Sequence, residues 1–229
     1  MHLRRGVICG LTHVNPRDNF GWNGECPGCD IDSEIFSLLC TSKGVDSIRL
    51  LNEQASSKKI VQAATNAVYG MQPNDLLVIY ISGHGGQIRD LSGDEEDGLD
   101  ETLCLWDGQF ADDKVADLVS KIPTGVRLFF VTDTCNSGTN YRHHSFKSVL
   151  KPSGSVPVIH YGSSPDGVPS MGSPQGGVFT TALIDAYDVN VTYVQWLQRA
   201  GARMPFTQRP VYEEYGPVTA EYRNSLALT

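Results

Sequence analysis

The sequence has no apolar run near the ~20 residues needed to cross a bilayer, so nothing in it reads as a membrane segment. It has no internal repeat and no low-complexity linker, which excludes solenoid and array architectures. Lysine and arginine are few, 18 against 26 aspartates and glutamates, and they form no stripe, so a nucleic-acid partner is not expected. Arg4 and Arg5 stand near the start, but the apolar run after them is short and is broken by Gly10, Thr12 and His13, unlike a secretory leader. The six cysteines (Cys9, Cys26, Cys29, Cys40, Cys104, Cys135) are irregularly spaced in a chain too long for a disulfide scaffold. A reducing, cytoplasmic setting is expected, where a free thiol survives.

What is present is an ordinary globular composition over 229 residues, 40% hydrophobic and 19% charged, enough to bury a sizeable core as one domain spanning 1–229. The net charge of -8 is unevenly placed: eleven of the 26 acidic residues fall between Asp90 and Asp117, against one basic residue, Lys114. Such a stretch suits a cationic partner, a metal ion or a basic peptide.

Apolar runs alternate with helix-like segments. Strands are expected at Gly6 to Leu11, Asp46 to Leu51, Leu76 to Ile81, Arg127 to Thr132 and Val156 to Tyr161, with Gln208 to Tyr212 as a last edge strand. Leu76 to Ile81 (LLVIYI) is continuously apolar, as in a strand buried on both faces. Helices are expected at Ile31 to Ser42, Lys58 to Met71, Asp112 to Lys121, Gly177 to Asp188 and Tyr193 to Ala202. The first of these has apolar residues at helical spacing (Ile31, Ile35, Leu38, Leu39), with Asp30 or Asp32 as N-cap. The alternation predicts an α/β fold with a mostly parallel sheet of about six strands.

Ligands of such sheets bind at the carboxyl ends of the strands, and two polar, glycine-containing motifs lie there. Ser82-Gly83-His84-Gly85-Gly86 follows the LLVIYI run, and Asp133-Thr134-Cys135-Asn136-Ser137-Gly138 follows RLFFV. Taken singly, a cysteine after a strand is most often a small core residue, and a histidine there a surface one. Together, each in a glycine-containing turn after a buried strand, they predict a nucleophile and its base, with His84 and Cys135 converging if the strands are neighbours. An imidazole favours the thiolate and later returns the proton to the leaving amine. Backbone N–H groups of Gly85 and Cys135 are candidate oxyanion donors. If extended geometry continues, Ser82 and His84 point to one side of their strand, as do Asp133 and Cys135.

With these motifs in view, the sequence resembles the metacaspases, within the caspase-like cysteine peptidases. The resemblance is carried by ISGHGGQ (Ile81 to Gln87), GDEEDGLDETL (Gly93 to Leu103), ADDKV (Ala111 to Val115) and TDTCNSGT (Thr132 to Thr139), and more weakly by PGCDID (Pro27 to Asp32). It implies a caspase-like α/β/α sandwich with a larger part over about 1–140 and a smaller one over about 155–229. It also implies a His84–Cys135 catalytic pair, cleavage of protein or peptide substrates after Arg or Lys, and monomers. The chain departs from the family in having Asn136 after the cysteine where histidine is usual, in having no proline- or glutamine-rich stretch before the first strand, and in a short segment at about 140–155.

Asp133, two before the cysteine, and Asp32 are the expected pocket acids, since two carboxylates can grip a guanidinium. Ser82 is a further pocket acceptor and Cys29 a candidate wall, while Asp32 as pocket acid and Asp32 as helix cap stay open alternatives. The acidic stretch (Asp94, Glu95, Glu96, Asp97, Asp100, Glu101) suits calcium rather than zinc. The resemblance assigns calcium to Asp100, Asp112 and Asp113 as an activator, with no organic cofactor; Arg142 falls near the position of a fourth family aspartate. Cys26-Pro27-Gly28-Cys29 is a CxxC that alone suggests zinc or a redox pair, but no further ligand pair accompanies it. His143-His144 reads as a solvated surface pair. The expected function is endopeptidase; an inactive caspase-like binding module and a CxxC thiol-disulfide oxidoreductase are the alternatives.

Overall fold

The computed structural model describes residues 2–89, 99–136, 154–164 and 170–229, with backbone only for Cys135 and Asn136. Among these, ten strands and six α-helices follow one another, with one short 3-10 turn at Asn52–Gln54. They are β1 (Arg4–Gly10), α1 (Cys29–Ser42), β2 (Asp46–Leu51), α2 (Ser57–Ala67), β3 (Leu76–Arg89), β4 (Leu99–Leu105), β5 (Gly108–Ala111), α3 (Asp112–Ser120) and β6 (Arg127–Asn136). They continue with β7 (Val158–Gly162), β8 (Gly172–Ser173), β9 (Gly176–Gly177), α4 (Val178–Ala186), α5 (Tyr193–Gly201), β10 (Val211–Tyr215) and α6 (Ala220–Asn224).

The main sheet runs β10-β7-β6-β3-β1-β2, six strands as the alternation predicts, with the β4–β5 hairpin attached to β3. All neighbours on that path are parallel except the edge pair β10–β7. Period-two alternation sorts the side chains into two layers. Leu77, Ile79, Ile81, Leu128 and Phe130 face a core shared with Ile60 and Ala64 of α2 and Val115 and Leu118 of α3. Leu76, Val78, Tyr80, Phe129 and Val131 face Phe36 of α1, Phe179 and Leu183 of α4 and Trp196 of α5. The second layer is aromatic: Phe36 stacks on Tyr80 with ring centroids 4.3 Å apart, and Phe129 packs edge-on against Tyr161 at 4.7 Å.

Four expectations are corrected. As far as the described residues go, the histidine and cysteine motifs are strand and not turn: β3 and β6 stay paired through Ser82↔Asp133, His84↔Cys135 and Gly85↔Asn136. β1 pairs with β3 only as far as Ser82, and β4 takes over that edge from His84 to Arg89, so β3 keeps partners on both sides. Leu99–Leu105, expected within an acidic loop, is a strand with Asp100, Glu101 and Thr102 buried. The cap of α1 is neither Asp30 nor Asp32 but Gly28, at φ 95°, a conformation that glycine adopts without strain. Finally, α1 buries Cys29, Asp32, Ser33, Phe36 and Cys40, while Ile31 and Leu38 are exposed, because its first turn covers the polar strand ends rather than the apolar core. Lesser differences are end shifts of a few residues, and β5, β8, β9 and α6 are not among the expected elements.

Candidate active site

The carboxyl ends of β3 and β6 and the first turn of α1 meet at one place. Ser82 and His84 continue the face of β3 that Tyr80 presents to α1 and α4, and Asp133 continues that of Val131. Opposite His84 on the ladder stands Cys135, and Gly85 is flanked by Asn136 on β6 and Leu103 on β4. The residues expected at the strand ends are thus brought together.

The His84 imidazole is held from the 11–28 segment. Its Nε2–H donates to the Glu25 carbonyl at 3.1 Å, which makes Nδ1 the basic nitrogen of the ring. Trp22 packs against the ring with centroids 5.0 Å apart. Burial, opposed by the backbone carbonyls of Glu25 and Gly24, holds the imidazole below its ordinary value, so it is neutral at neutral pH.

Beneath it lie the two acids. Asp32 is buried; Ser82 Oγ donates to its Oδ2 at 3.0 Å and the Gly177 N–H to its Oδ1 at 2.7 Å. Asp133 is buried too; it accepts from Ser170 Oγ at 3.0 Å on Oδ1 and from the Thr180 N–H (3.2 Å) and Oγ1 (2.7 Å) on Oδ2. Burial and the charge of Asp133 push the Asp32 carboxyl up to about 7. Asp133 is raised as well, by burial against its hydrogen bonds. Two carboxylates held this close resist sharing two negative charges, and a cation between them would relieve both.

Asp32 is therefore bonded across the site rather than to its own helix end, which removes the cap reading. Several residues of this site carried no sequence signal. Thr180 and Ser170 brace Asp133, and the Tyr80 hydroxyl donates to Thr180 Oγ1 at 2.5 Å. Gln208, fully buried, ties Met171 and Ser170 in place through bonds of 2.9 and 3.1 Å. Gly177 lies over both acids: a Cβ there would stand 2.6 Å from Asp133 Oδ2 and 3.1 Å from Asp32 Oδ2. Only the Gly176-Gly177 pair ahead of a helix was legible as a close approach. Cys29 is buried as the first residue of α1, beside Ser82 and Asp32.

The proposed metal ligands sit elsewhere. The β4–β5 ladder pairs Thr102 with Ala111, so Asp100, Asp112 and Asp113 share one end of the hairpin; Asp100 and Asp112 are buried and Asp113 is exposed. Carboxylate oxygens are calcium donors, but among the described residues no three His, Cys, Asp or Glu side chains come together as a ligand set. Asp94, Glu95, Glu96 and Asp97, like Ser137, Gly138, Arg142 and His143-His144, lie outside the described residues. Among the described residues, no helix is long and apolar enough to cross a membrane.

A mostly parallel sheet with helices on both faces and its polar centre at the ends of its middle strands is a caspase-like α/β sandwich. A caspase-1 from Spodoptera frugiperda shares that fold, with a TM-score of 0.67 at 14% identity over 95% of this chain and 88% of that one. Protein GSU0716 from Geobacter sulfurreducens is more similar, with a TM-score of 0.86 at 26% identity over 99% of this chain and 98% of that one. The family model for the metacaspase peptidase C14 domain matches residues 4–142, and the chain belongs to that family of cysteine-type peptidases. It is 34% identical over 205 residues to Metacaspase-1 of Kluyveromyces lactis, covering 78% of this chain and 46% of the relative. With Metacaspase-1 of Arabidopsis thaliana it shares 35% identity over 151 residues, 59% of this chain and 40% of the relative. The chain thus spans less than half the length of these curated relatives.

Proposed function

We propose that this chain is a cysteine endopeptidase that cleaves after Arg or Lys, with Cys135 as nucleophile and His84 as base and acid. The observation that carries the reading is the His84↔Cys135 pairing across β3 and β6, directly above the buried Asp32–Asp133 pair. His84, neutral and with its Nε2–H engaged, takes the thiol proton on Nδ1; the thiolate attacks the scissile carbonyl, and the proton passes to the leaving amine. Water then hydrolyses the thioester by the same route in reverse. Backbone N–H groups of Gly85 and Cys135 are the proposed oxyanion donors, each worth roughly 3–4 kcal/mol. The guanidinium or ammonium of the substrate enters between Ser82, Cys29 and the two acids, where charge-assisted hydrogen bonds hold it.

The test is release of a fluorophore from Arg-, Lys- and Asp-terminated peptides by the wild type, Cys135→Ala and His84→Ala. Cleavage of the Arg and Lys peptides alone, abolished in both variants, is expected; a preference for Asp sinks the pocket assignment, and activity retained in either variant sinks the pair. Calcium stimulation at roughly 10⁻⁴–10⁻³ M is the subsidiary part of the proposal, supported by the shared hairpin end of Asp100, Asp112 and Asp113. Full activity in excess EGTA rejects it.

A further inference from the structure

Cys29 lines the proposed pocket, but Cys26, and the two cysteines as a pair, have no part in the reaction above, and a tight turn holds them beside the site. The Cys29 N–H donates to the Cys26 carbonyl at 3.4 Å, closing a four-residue turn. Such a turn keeps its end Cα atoms within about 7 Å, which overlaps the span of a disulfide. The two thiols are unequal: Cys26 is partly exposed ahead of α1, whereas Cys29 is buried as the first residue of that helix. The neighbouring Cys29 lowers the Cys26 thiol against burial and the charges of Asp133 and Asp32, while Cys26 and burial raise Cys29. An accessible, more acidic first thiol and a buried, protonated second one are the attacking and resolving partners that thiol-disulfide exchange requires.

We propose that Cys26 and Cys29 are a reversible disulfide site beside the acidic pocket, oxidised by a low-molecular-weight disulfide such as oxidised glutathione, and that closing it lowers the peptidase activity. The second half rests on the function proposed above. The Cys26 thiolate attacks one sulfur of the glutathione disulfide, forming a mixed disulfide and releasing one glutathione thiolate. Cys29 gives up its proton and attacks the Cys26 sulfur, releasing the second. Two electrons pass from the cysteine pair to the glutathione disulfide, one S–S bond is exchanged for another, and two glutathione thiols leave.

The effect on activity follows from which partner moves. Cys29 is fixed by its helix, so closure draws in Cys26. The Cys26 N–H is bonded to the Thr12 carbonyl at 2.8 Å, and the carbonyl of the preceding residue, Glu25, holds His84 Nε2 at 3.1 Å. Moving Cys26 therefore loosens the imidazole, and kcat should fall about fivefold, the effect of losing one ordinary hydrogen bond.

Cys135→Ala protein, which leaves the other thiols in place, is equilibrated with glutathione buffers, denatured, alkylated with iodoacetamide and digested with trypsin. The fragment 18–43 carries Cys26, Cys29 and Cys40. Reduced protein yields that fragment with three alkyl groups and oxidised protein with one, on Cys40. Wild type and Cys26→Ser are assayed in parallel. The proposal expects the singly alkylated fragment, a loss of wild-type activity reversed by dithiothreitol, and a Cys26→Ser enzyme unaffected by the oxidising buffer. Three alkyl groups throughout, or a glutathione adduct that never resolves, overturns the disulfide. Equal loss in wild type and Cys26→Ser places the oxidation elsewhere and overturns the link to activity. A reduced wild type without peptidase activity rejects the proposed function instead, and the fragment still decides the disulfide.

Discussion

Replacing Asp32 by Asn should stabilise the fold at alkaline pH while impairing cleavage after arginine. Asparagine matches the shape of aspartate: its amide oxygen can still accept the Gly177 N–H now 2.7 Å from Oδ1, and its NH2 can donate to Ser82 Oγ, 3.0 Å from Oδ2. The charge is what disappears. The folded state raises the Asp32 carboxyl from 3.8 to about 7, so folding favours the protonated form. Stability tied to this group is therefore fully present below pH ~4 and is lost as pH rises through about 7. Near pH 8 the loss is at most about 4 kcal/mol, because each pH unit between the unfolded and folded values is worth about 1.36 kcal/mol. Asp32→Asn escapes it, and we expect a gain of roughly 1–3 kcal/mol at pH 8 that shrinks towards pH 4. The same change removes one charge from the pocket, lowering kcat/KM for an Arg peptide roughly 10- to 100-fold, the worth of a hydrogen bond to a charged group. Urea unfolding at pH 5 and pH 8 reads the first effect and initial rates at pH 8 the second. A variant less stable than wild type at both pH values refutes the charge argument, and an unchanged kcat/KM removes Asp32 from the pocket.

The acid limb of kcat/KM for an Arg peptide should fall near pH 7, where Asp32 ionises, and not at the lower pH set by His84, which burial keeps neutral. In the complex the bound cation lowers the carboxyl, so kcat alone should keep its value to lower pH; coincident limbs in the two profiles would argue against this. Gly177→Ala should lower both stability and Arg-peptide cleavage, because its Cβ would stand 2.6 Å from Asp133 Oδ2. Asp133 is pinned by Thr180 and Ser170 and cannot give way, and overpacking of this kind costs about 1–3 kcal/mol. Thermal unfolding and rates measured on the purified variant check it, and a wild-type melting temperature contradicts it.

Much of the architecture is local information. The LLVIYI and RLFFV runs are buried on both faces and could be read as strands without knowing their neighbours, and the interleaved helical segments forced a parallel sheet. The polar residues at the ends of those runs, Ser82, His84, Asp133 and Cys135, fall together because parallel strands bring equivalent ends to one edge. What depended on the folded chain was set by partners distant in sequence. β3 and β6 run on beyond the apolar residues because each stays paired with the other, and β3 also gains β4 where β1 stops. The buried strand at Leu99–Leu105 is acidic in its first half, and only pairing with β3 and β5 makes it a strand. Asp32 could have capped its own helix and instead turns away from the helix end. It is held there by Ser82, 50 residues away, and by the Gly177 N–H, 145 residues away, which no local pattern around α1 encodes. The sequence alone thus determined which polar residues gather at the ends of the buried strands, since composition and period are local properties. Only the tertiary structure decided how two buried carboxylates are held side by side, because every group that holds them comes from another part of the chain.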